Sequence, residues 1–206
     1  DAKLFLEEVA RQLGGKPLSP KTEWLEWCAE RRRRYPSVLP EYRTQEDSVN
    51  SFYFIEVLSR CLAANDTIVL ADGLANTCTF QAIALKKGQR LFSNSGSAPM
   101  GFDLPAAIGA CFATGKTRVV CIAGDGSIQL NIQELQTIVA HQLPIKIFLF
   151  SNDGYASIRG TQDAYFDGRY MGADSSSGVT IPDMLRVATA YGIATERIAT
   201  HAGMEN

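Results

Sequence analysis

Two short polar segments stand out in the sequence, each directly after an apolar run. Gly124-Asp125-Gly126-Ser127 follows 118–123, and Ser151-Asn152-Asp153-Gly154 follows 145–150. Glycines at such turns let backbone N–H groups approach an anion, and a helix starting there adds its positive end. Asp125 and Asn152 offer hard oxygen donors of the kind that suit Mg²⁺ carrying a phosphate oxygen. They lie 27 positions apart, which leaves room for one helix and one strand. Neighbouring strands are only about 5 Å apart, so adjacent strands would bring both side chains to one ion. Either segment by itself also reads as an ordinary turn, and the pairing is what points to chemistry. The glycines around 124 and 126 do not complete a GxGxxG fingerprint and no P-loop lysine follows, which sets aside an NAD-type nucleotide site.

A site of this kind needs strands whose carboxyl ends share one edge of a sheet. The apolar runs at 67–72, 118–123 and 145–150 read as buried strands, the last two as interior ones because their apolar character is continuous. Helical spacing is visible at 51–63, near 76–86, from Leu104 to Ala113, from Asn131 to His141 and at 180–191. Residues 91–103 read as a Ser/Gly-rich loop. Alternating strands and helices predict an α/β fold: a three-layer, doubly wound, mainly parallel sheet. The N-terminal part is different. Two amphipathic helices, at 2–13 and 21–34, are separated by Gly14-Gly15 and the proline loop Pro17-Leu18-Ser19-Pro20. No strand is available to cover their apolar faces. Residues 1–46 are therefore expected to be the helical tail of a preceding domain plus a linker. The domain that carries the site is expected over 47–206, truncated at its C-terminus. A chain that begins at Asp1 is expected to be processed or part of something longer.

Composition narrows the function. The chain has 206 residues, 46% apolar and 20% charged, with a net charge of −2, an ordinary globular balance that disfavours nucleic-acid binding. The one basic cluster, 31–34, suits a solvated helix C-terminus. The five cysteines form no CxxC pair, which argues against zinc and against a disulfide framework. Cys61, Cys111 and Cys121 read as small core residues, and a reducing, cytoplasmic location is expected. No apolar stretch reaches membrane-spanning length. His141 and His201 support no catalytic triad.

The two segments resemble the signature of thiamine-diphosphate (ThDP) enzymes: GDG, a stretch of about this length, then Asn-Asn. The chain is identified as a member of that family, similar to the C-terminal, diphosphate-binding domain of the acetolactate synthase large subunit. The resemblance implies that Asp125, Asn152 and the carbonyl of Gly154 hold Mg²⁺. Ser151 stands where the first Asn of the usual pair would be. Gly124, Gly126 and Ser127 complete the metal-side loop. The segment Ser95–Gly109 resembles the part of the family that meets the aminopyrimidine. Met100 holds the position of the wedge that bends the cofactor, and the backbone of Ala98 and Met100 would bind the pyrimidine edge. Asp72-Gly73-Leu74-Ala75-Asn76-Thr77 matches the first diphosphate loop, making Asn76 and Thr77 candidate contacts. Ala156 and Ser157 would offer backbone N–H groups to the diphosphate, and Ile158 would lie near the thiazolium. The helix with Trp24 and Trp27, followed by Tyr35-Pro36, resembles the join from the central domain.

The same resemblance implies a 2-oxo acid substrate such as pyruvate, decarboxylated or joined to an acceptor. It also implies a glutamate on a separate pyrimidine-binding domain, of the same or a partner subunit, in a homodimer or tetramer. That glutamate sets the cofactor's own nitrogen to remove the thiazolium C2 proton. No residue here takes that role, so the chain is expected to be inactive alone. Met100, Phe102 and Leu104 are expected to expose an apolar patch toward the absent domain. FAD would belong to a central domain outside this chain. Thr161 stands where acetolactate synthases carry a tryptophan that selects the acceptor, so related enzymes that join or split 2-oxo acids fit as well. Residues 165–177 read as a mobile loop over the site. The reading from another class is a non-catalytic assembly or regulatory domain on the same fold.

Overall fold

The computed structural model describes residues 1–15 and 19–204. Pro17 and Leu18 of the expected proline loop lie outside the described residues. The chain falls into two compact units, Asp1–Pro36 and Ser37–Asn206.

The first unit is two helices. α1 (Ala2–Leu13) starts where the Asp1 carboxylate accepts the N–H groups of Lys3 and Leu4, and stops at Gly14 in the left-handed region. α2 (Thr22–Arg34) ends in the four arginines, whose charge suits the negative helix end. Trp24 and Trp27 stack at 5.1 Å between ring centroids, and the Arg31 guanidinium lies over Trp27. No residue of either helix is buried.

The second unit runs α3 (Pro40–Arg43), α4 (Ser51–Cys61), β1 (Thr67–Leu70), α5 (Leu74–Ala82), β2 (Arg90–Phe92), α6 (Asp103–Ala113), β3 (Val119–Gly124), α7 (Asp125–Ile128), α8 (Glu134–Ala140), β4 (Ile145–Phe150), α9 (Ala156–Tyr165) and α10 (Met184–Ala190). Among the described residues the four strands form one parallel sheet in the order β2-β1-β3-β4. Arg43 pairs with Glu56 at 2.6 Å, tying α3 to α4.

Alternate side chains of each strand leave opposite faces of the sheet, and both faces are covered. Val69, Val119, Cys121 and Ala123 meet α6, α8 and α10 through Leu104, Ala107, Cys111, Leu135, Ile138 and Val187. Ile68, Leu70, Val120 and Ile122 meet α4 and α5 through Phe54, Ile55, Leu58, Ala75 and Cys78. Helices on both sides of a parallel sheet make the expected three-layer α/β fold. Each fully buried aliphatic chain in such a core stabilises by about 1.5–3 kcal/mol.

Several expectations are corrected. Among the described residues β4 is an edge strand of the sheet, as β2 is, not an interior one. Its apolar run reports two covered faces: Ile145, Ile147 and Leu149 on one, Phe148 and Phe150 on the other. A strand can have both faces covered while one edge has no neighbour. Residues 90–92, inside or beside the expected loop, form β2, because three residues are too few to show a period. The helix expected near 76–86 begins at Leu74 and ends at Ala82. The helix expected from Asn131 to His141 is the shorter α8, preceded by a 3-10 turn at Gln129–Asn131. Cys61 is exposed at the end of α4, whereas Cys78 joins Cys111 and Cys121 in the core. Among the described residues no helix is long and apolar enough to cross a membrane.

Candidate functional site

All four strands run parallel, so the loops that leave their carboxyl ends gather at one edge of the sheet. They are Asp72–Gly73 after β1, the turn 93–101 after β2, Asp125–Ser127 after β3 and Ser151–Tyr155 after β4. Every site residue read from the sequence lies on these loops or in the first turn of the helix that follows, except Gly124, which ends β3.

Asp125 is the centre. Its side chain is 1% exposed. Oδ1 accepts the Gly126 N–H, and Oδ2 accepts the N–H groups of Asn152 and Asp153, all at 2.8 Å. The β3–β4 pairing, Gly124 opposite Phe150, makes this reach possible. A carboxylate offers about four acceptor positions, so three amides leave it room for one further partner. Beside it, Asn152 Oδ1 is buried and has no hydrogen-bond partner. A buried amide oxygen left unpaired costs free energy, and a hard cation is a partner of the right kind. The residues therefore fit an Mg²⁺ ion that carries phosphate oxygens. No group of three or more His, Cys, Asp or Glu that could hold a metal is found among the described residues.

Gly154 is buried, with φ +134°, and a Cβ there would lie 2.3 Å from the Ala173 carbonyl oxygen. The Tyr155 N–H donates to that same oxygen at 2.8 Å, and Gly154 bridges Asp174. The segment expected to form a loop over the site thus begins inside α9 and returns to dock on the turn after β4. Arg159 holds the arrangement from beneath, its guanidinium donating to the Asn152 carbonyl at 2.7 Å.

Side-chain capping does not by itself set the site helices apart, since α2, α3 and α8, away from the site, are uncapped as well. α4 and α10 are capped by the side chains of Asn50 and Asp183. α5 and α9, which start at the site, have no side-chain cap, so their first N–H groups remain available to an anion. Asn76 and Thr77 lie in the first turn of α5, and Ala156 and Ser157 begin α9. Gly73 lies beside the Ser157 hydroxyl, which brings the first and last of these loops together. Asn76 and Ala98 line one crevice with Asp72 and Phe102. Met100 and Ile158 are 39% and 47% exposed at the mouth of the site. The apolar patch differs from expectation: Leu104 is fully buried and Phe102 packs on the core, while Leu130 is exposed with Met100.

Sequence reasoning missed Arg159, Asp103 and Asn131. Asp103 is fully buried beside Ser127, and Asn131 donates to the Gly101 carbonyl. No spacing rule marks them: Asp103 and Asn131 act on turns 24 and 30 residues away, and Arg159 turns back on the backbone carbonyl seven residues before it. His201, which the sequence left unplaced, accepts the Asn50 N–H at 3.0 Å through Nε2.

Helix starts, glycine turns and an unpaired hard oxygen thus gather at the carboxyl edge of a parallel sheet in an α/β domain. Residues 73–206 match the model of the thiamine pyrophosphate enzyme C-terminal TPP-binding domain, and the chain belongs to that family. It is similar to the acetolactate synthase large subunit of Cyanidium caldarium, 33% identical over all of this chain and 35% of that protein. The large subunit of Parasynechococcus marenigrum (strain WH8102) is 36% identical over 90% of this chain and 29% of that protein. The isozyme 2 large subunit of Escherichia coli (strain K12) is 33% identical over 85% and 31%. The chain thus spans about a third of the length of these relatives. Among solved structures, the thiamine diphosphate-dependent 4-hydroxybenzoylformate decarboxylase of Rhodococcus jostii RHA1 shares the fold. Its TM-score is 0.66 at 22% identity, over 76% of this chain and 29% of that one.

Proposed function

We propose that this chain is the diphosphate- and Mg²⁺-binding part of a ThDP-dependent enzyme that makes or breaks C–C bonds of 2-oxo acids such as pyruvate. The observation that carries the reading is the unpaired, buried Asn152 Oδ1 beside the Asp125 carboxylate at the ends of adjacent parallel strands. In this reading Asp125, Asn152 and the Gly154 carbonyl hold Mg²⁺. The backbones of Gly124, Gly126, Ser127, Ala156 and Ser157, with Asn76 and Thr77, meet the diphosphate. Ala98 and Met100 meet the aminopyrimidine, and Ile158 lies near the thiazolium.

Bound ThDP supplies the nucleophilic carbon and the electron sink for the substrate carbonyl. This chain's part is to hold and orient it. Residues 1–46 are the tail and linker of a preceding domain, and 47–206 form the cofactor domain. The glutamate that sets the pyrimidine lies on another domain, of the same or a partner subunit, in a homodimer or tetramer. Thr161, exposed on α9 with its hydroxyl turned to the Ser157 carbonyl, leaves the acceptor side open to substrates other than those of acetolactate synthase.

The test is to supply the full-length protein with Mg²⁺, ThDP and pyruvate and to assay carbon dioxide and acyloin. Turnover that needs both cofactors supports the reading. A full-length protein that shows no Mg²⁺-dependent ThDP binding would instead be a non-catalytic assembly domain.

A further inference from the structure

We infer that Asp103 is a positioning residue that, through Ser127, locks the turn carrying Ala98 and Met100 onto the turn carrying Asp125. The inference rests on the reading of this edge as the ThDP site, whose two ends these turns would serve.

The connection is continuous. Asp103 opens α6 with none of its surface exposed. Oδ1 accepts the Leu104 N–H at 2.8 Å, and Oδ2 accepts the Ser127 hydroxyl at 2.6 Å. Ser127 Oγ in turn accepts the Gly101 N–H at 2.9 Å, and the Gly101 carbonyl accepts Asn131 Nδ2 at 2.7 Å. Gly101 has φ +80°, and a Cβ there would lie 2.8 Å from Leu130 Cβ and 2.9 Å from Asn131 Nδ2. The backbone next to Met100 thus rests directly on the chain just after Ser127, and both of its polar groups are held by that chain.

A carboxyl buried this completely is costly unless its acceptors are filled. Burial pushes the Asp103 carboxyl up, against the donors Ser127 and Leu104 that favour the anion. The start of α6 contributes favourable dipole. What the group achieves there is orientation. Its oxygen takes the Ser127 proton, which turns a Ser127 lone pair toward Gly101. The Ser127 hydroxyl is then committed inward, and Ser127 would meet a diphosphate through its backbone N–H alone. The metal-side turn and the pyrimidine-side turn keep one spacing whether or not ligand is present.

Asp103→Asn tests this, because an amide has one acceptor oxygen where the carboxylate has two. Whichever way it turns, the Leu104 N–H or the Ser127 hydroxyl faces an NH₂ group. In the full-length protein with Mg²⁺, ThDP affinity measured by calorimetry is expected to fall about tenfold in Asp103→Asn and by a similar factor in Ser127→Ala. The double variant is expected to be no worse than the weaker-binding single one, as for residues acting through one path. Without cofactor, hydrogen exchange of the Gly101 amide is expected to rise in each variant while that of Val120, inside β3, stays unchanged. That contrast separates positioning from general loss of stability. If Asp103→Asn does not fold, Ser127→Ala carries the test, since deleting one hydroxyl leaves the Asp103 bond to Leu104. Wild-type affinity with wild-type Gly101 protection in the variants overturns the proposal. So do multiplying losses in the double variant, which would mean that the Ser127 hydroxyl touches the cofactor itself. A wild-type protein that binds no ThDP overturns the reading of the site, and the proposal with it.

Discussion

Asp125 Oδ2 accepts the backbone N–H of Asn152 at 2.8 Å, joining the loop after β3 to the loop after β4. The bond separates two jobs within Asn152. Its backbone is fixed by the carboxylate, while its side-chain oxygen stays buried and unpaired. The loops after β3 and β4 are thereby joined at a fixed point, with the unpaired oxygen on the residue that makes the joint.

Asn152→Ala tests that division of labour. It removes an unsatisfied buried acceptor, so thermal stability without cofactor should hold or rise slightly. The stabilisation that Mg²⁺ and ThDP add together should largely vanish, since it follows from ligand affinity. Thermal melts with and without the two ligands measure both. A variant that melts lower when free and keeps its full ligand-induced shift would mean that Asn152 is structural.

Gly154→Ala should destabilise the domain by about 1–3 kcal/mol or more, because φ +134° disfavours any Cβ and the added atom would strike the Ala173 carbonyl. Denaturant titration measures it. A change within about 0.5 kcal/mol, the range of neutral surface substitutions, would show that the segment around Ala173 can move away at no cost.

Stability should fall in acid partly through Asp66. Burial by itself would raise this carboxyl, but hydrogen bonds from Arg118 and the Ala63 N–H, with the Arg118 charge, outweigh it and hold it below the ordinary range. Arg118 Nε donates to Oδ1 at 2.7 Å, fastening the start of β3 to the start of β1. A folded-state value below the unfolded one means that the contribution is complete above the unfolded value, about 3.9. It is lost as pH falls through the lower, folded value. Asp66→Asn should cost about 1–3 kcal/mol at pH 7 and flatten the stability profile below about pH 4. An unchanged profile would remove Asp66 from the account.

The isolated 206-residue chain should bind ThDP weakly and show no turnover with pyruvate. It supplies recognition for one end of the cofactor, and the proposed glutamate lies elsewhere. Orientation of reacting groups can lower a barrier by about 7 kcal/mol or more, and none of that is retained without the second domain. Exposed Met100, Leu130 and Ile158 should favour self-association, which light scattering detects. Turnover at an ordinary enzymatic rate would place a complete site within these residues.

The sequence showed β1, β3, β4 and α6 clearly, because their apolar runs and helical spacing are long enough to carry a period. Asp125 and Asn152 were legible as a pair because each follows such a strand. β2 was not legible at three residues. Nor was the edge position of β4, since apolar residues such as Ile147 and Phe148 record which faces are covered and say nothing of edge pairing. Asp103 and Arg159 were hidden for another reason. Asp103 reaches Ser127 across the fold, and Arg159 turns back on backbone carbonyls of the adjoining loops, contacts that side-chain spacing does not record.

The most direct test is calorimetric titration of ThDP into the full-length protein, with and without Mg²⁺, for the wild type and Asp125→Ala. The account predicts Mg²⁺-dependent binding in the wild type and none measurable in Asp125→Ala, where the diphosphate charge would meet no metal. Equal ThDP affinity in the two proteins, with Mg²⁺ present, would contradict it.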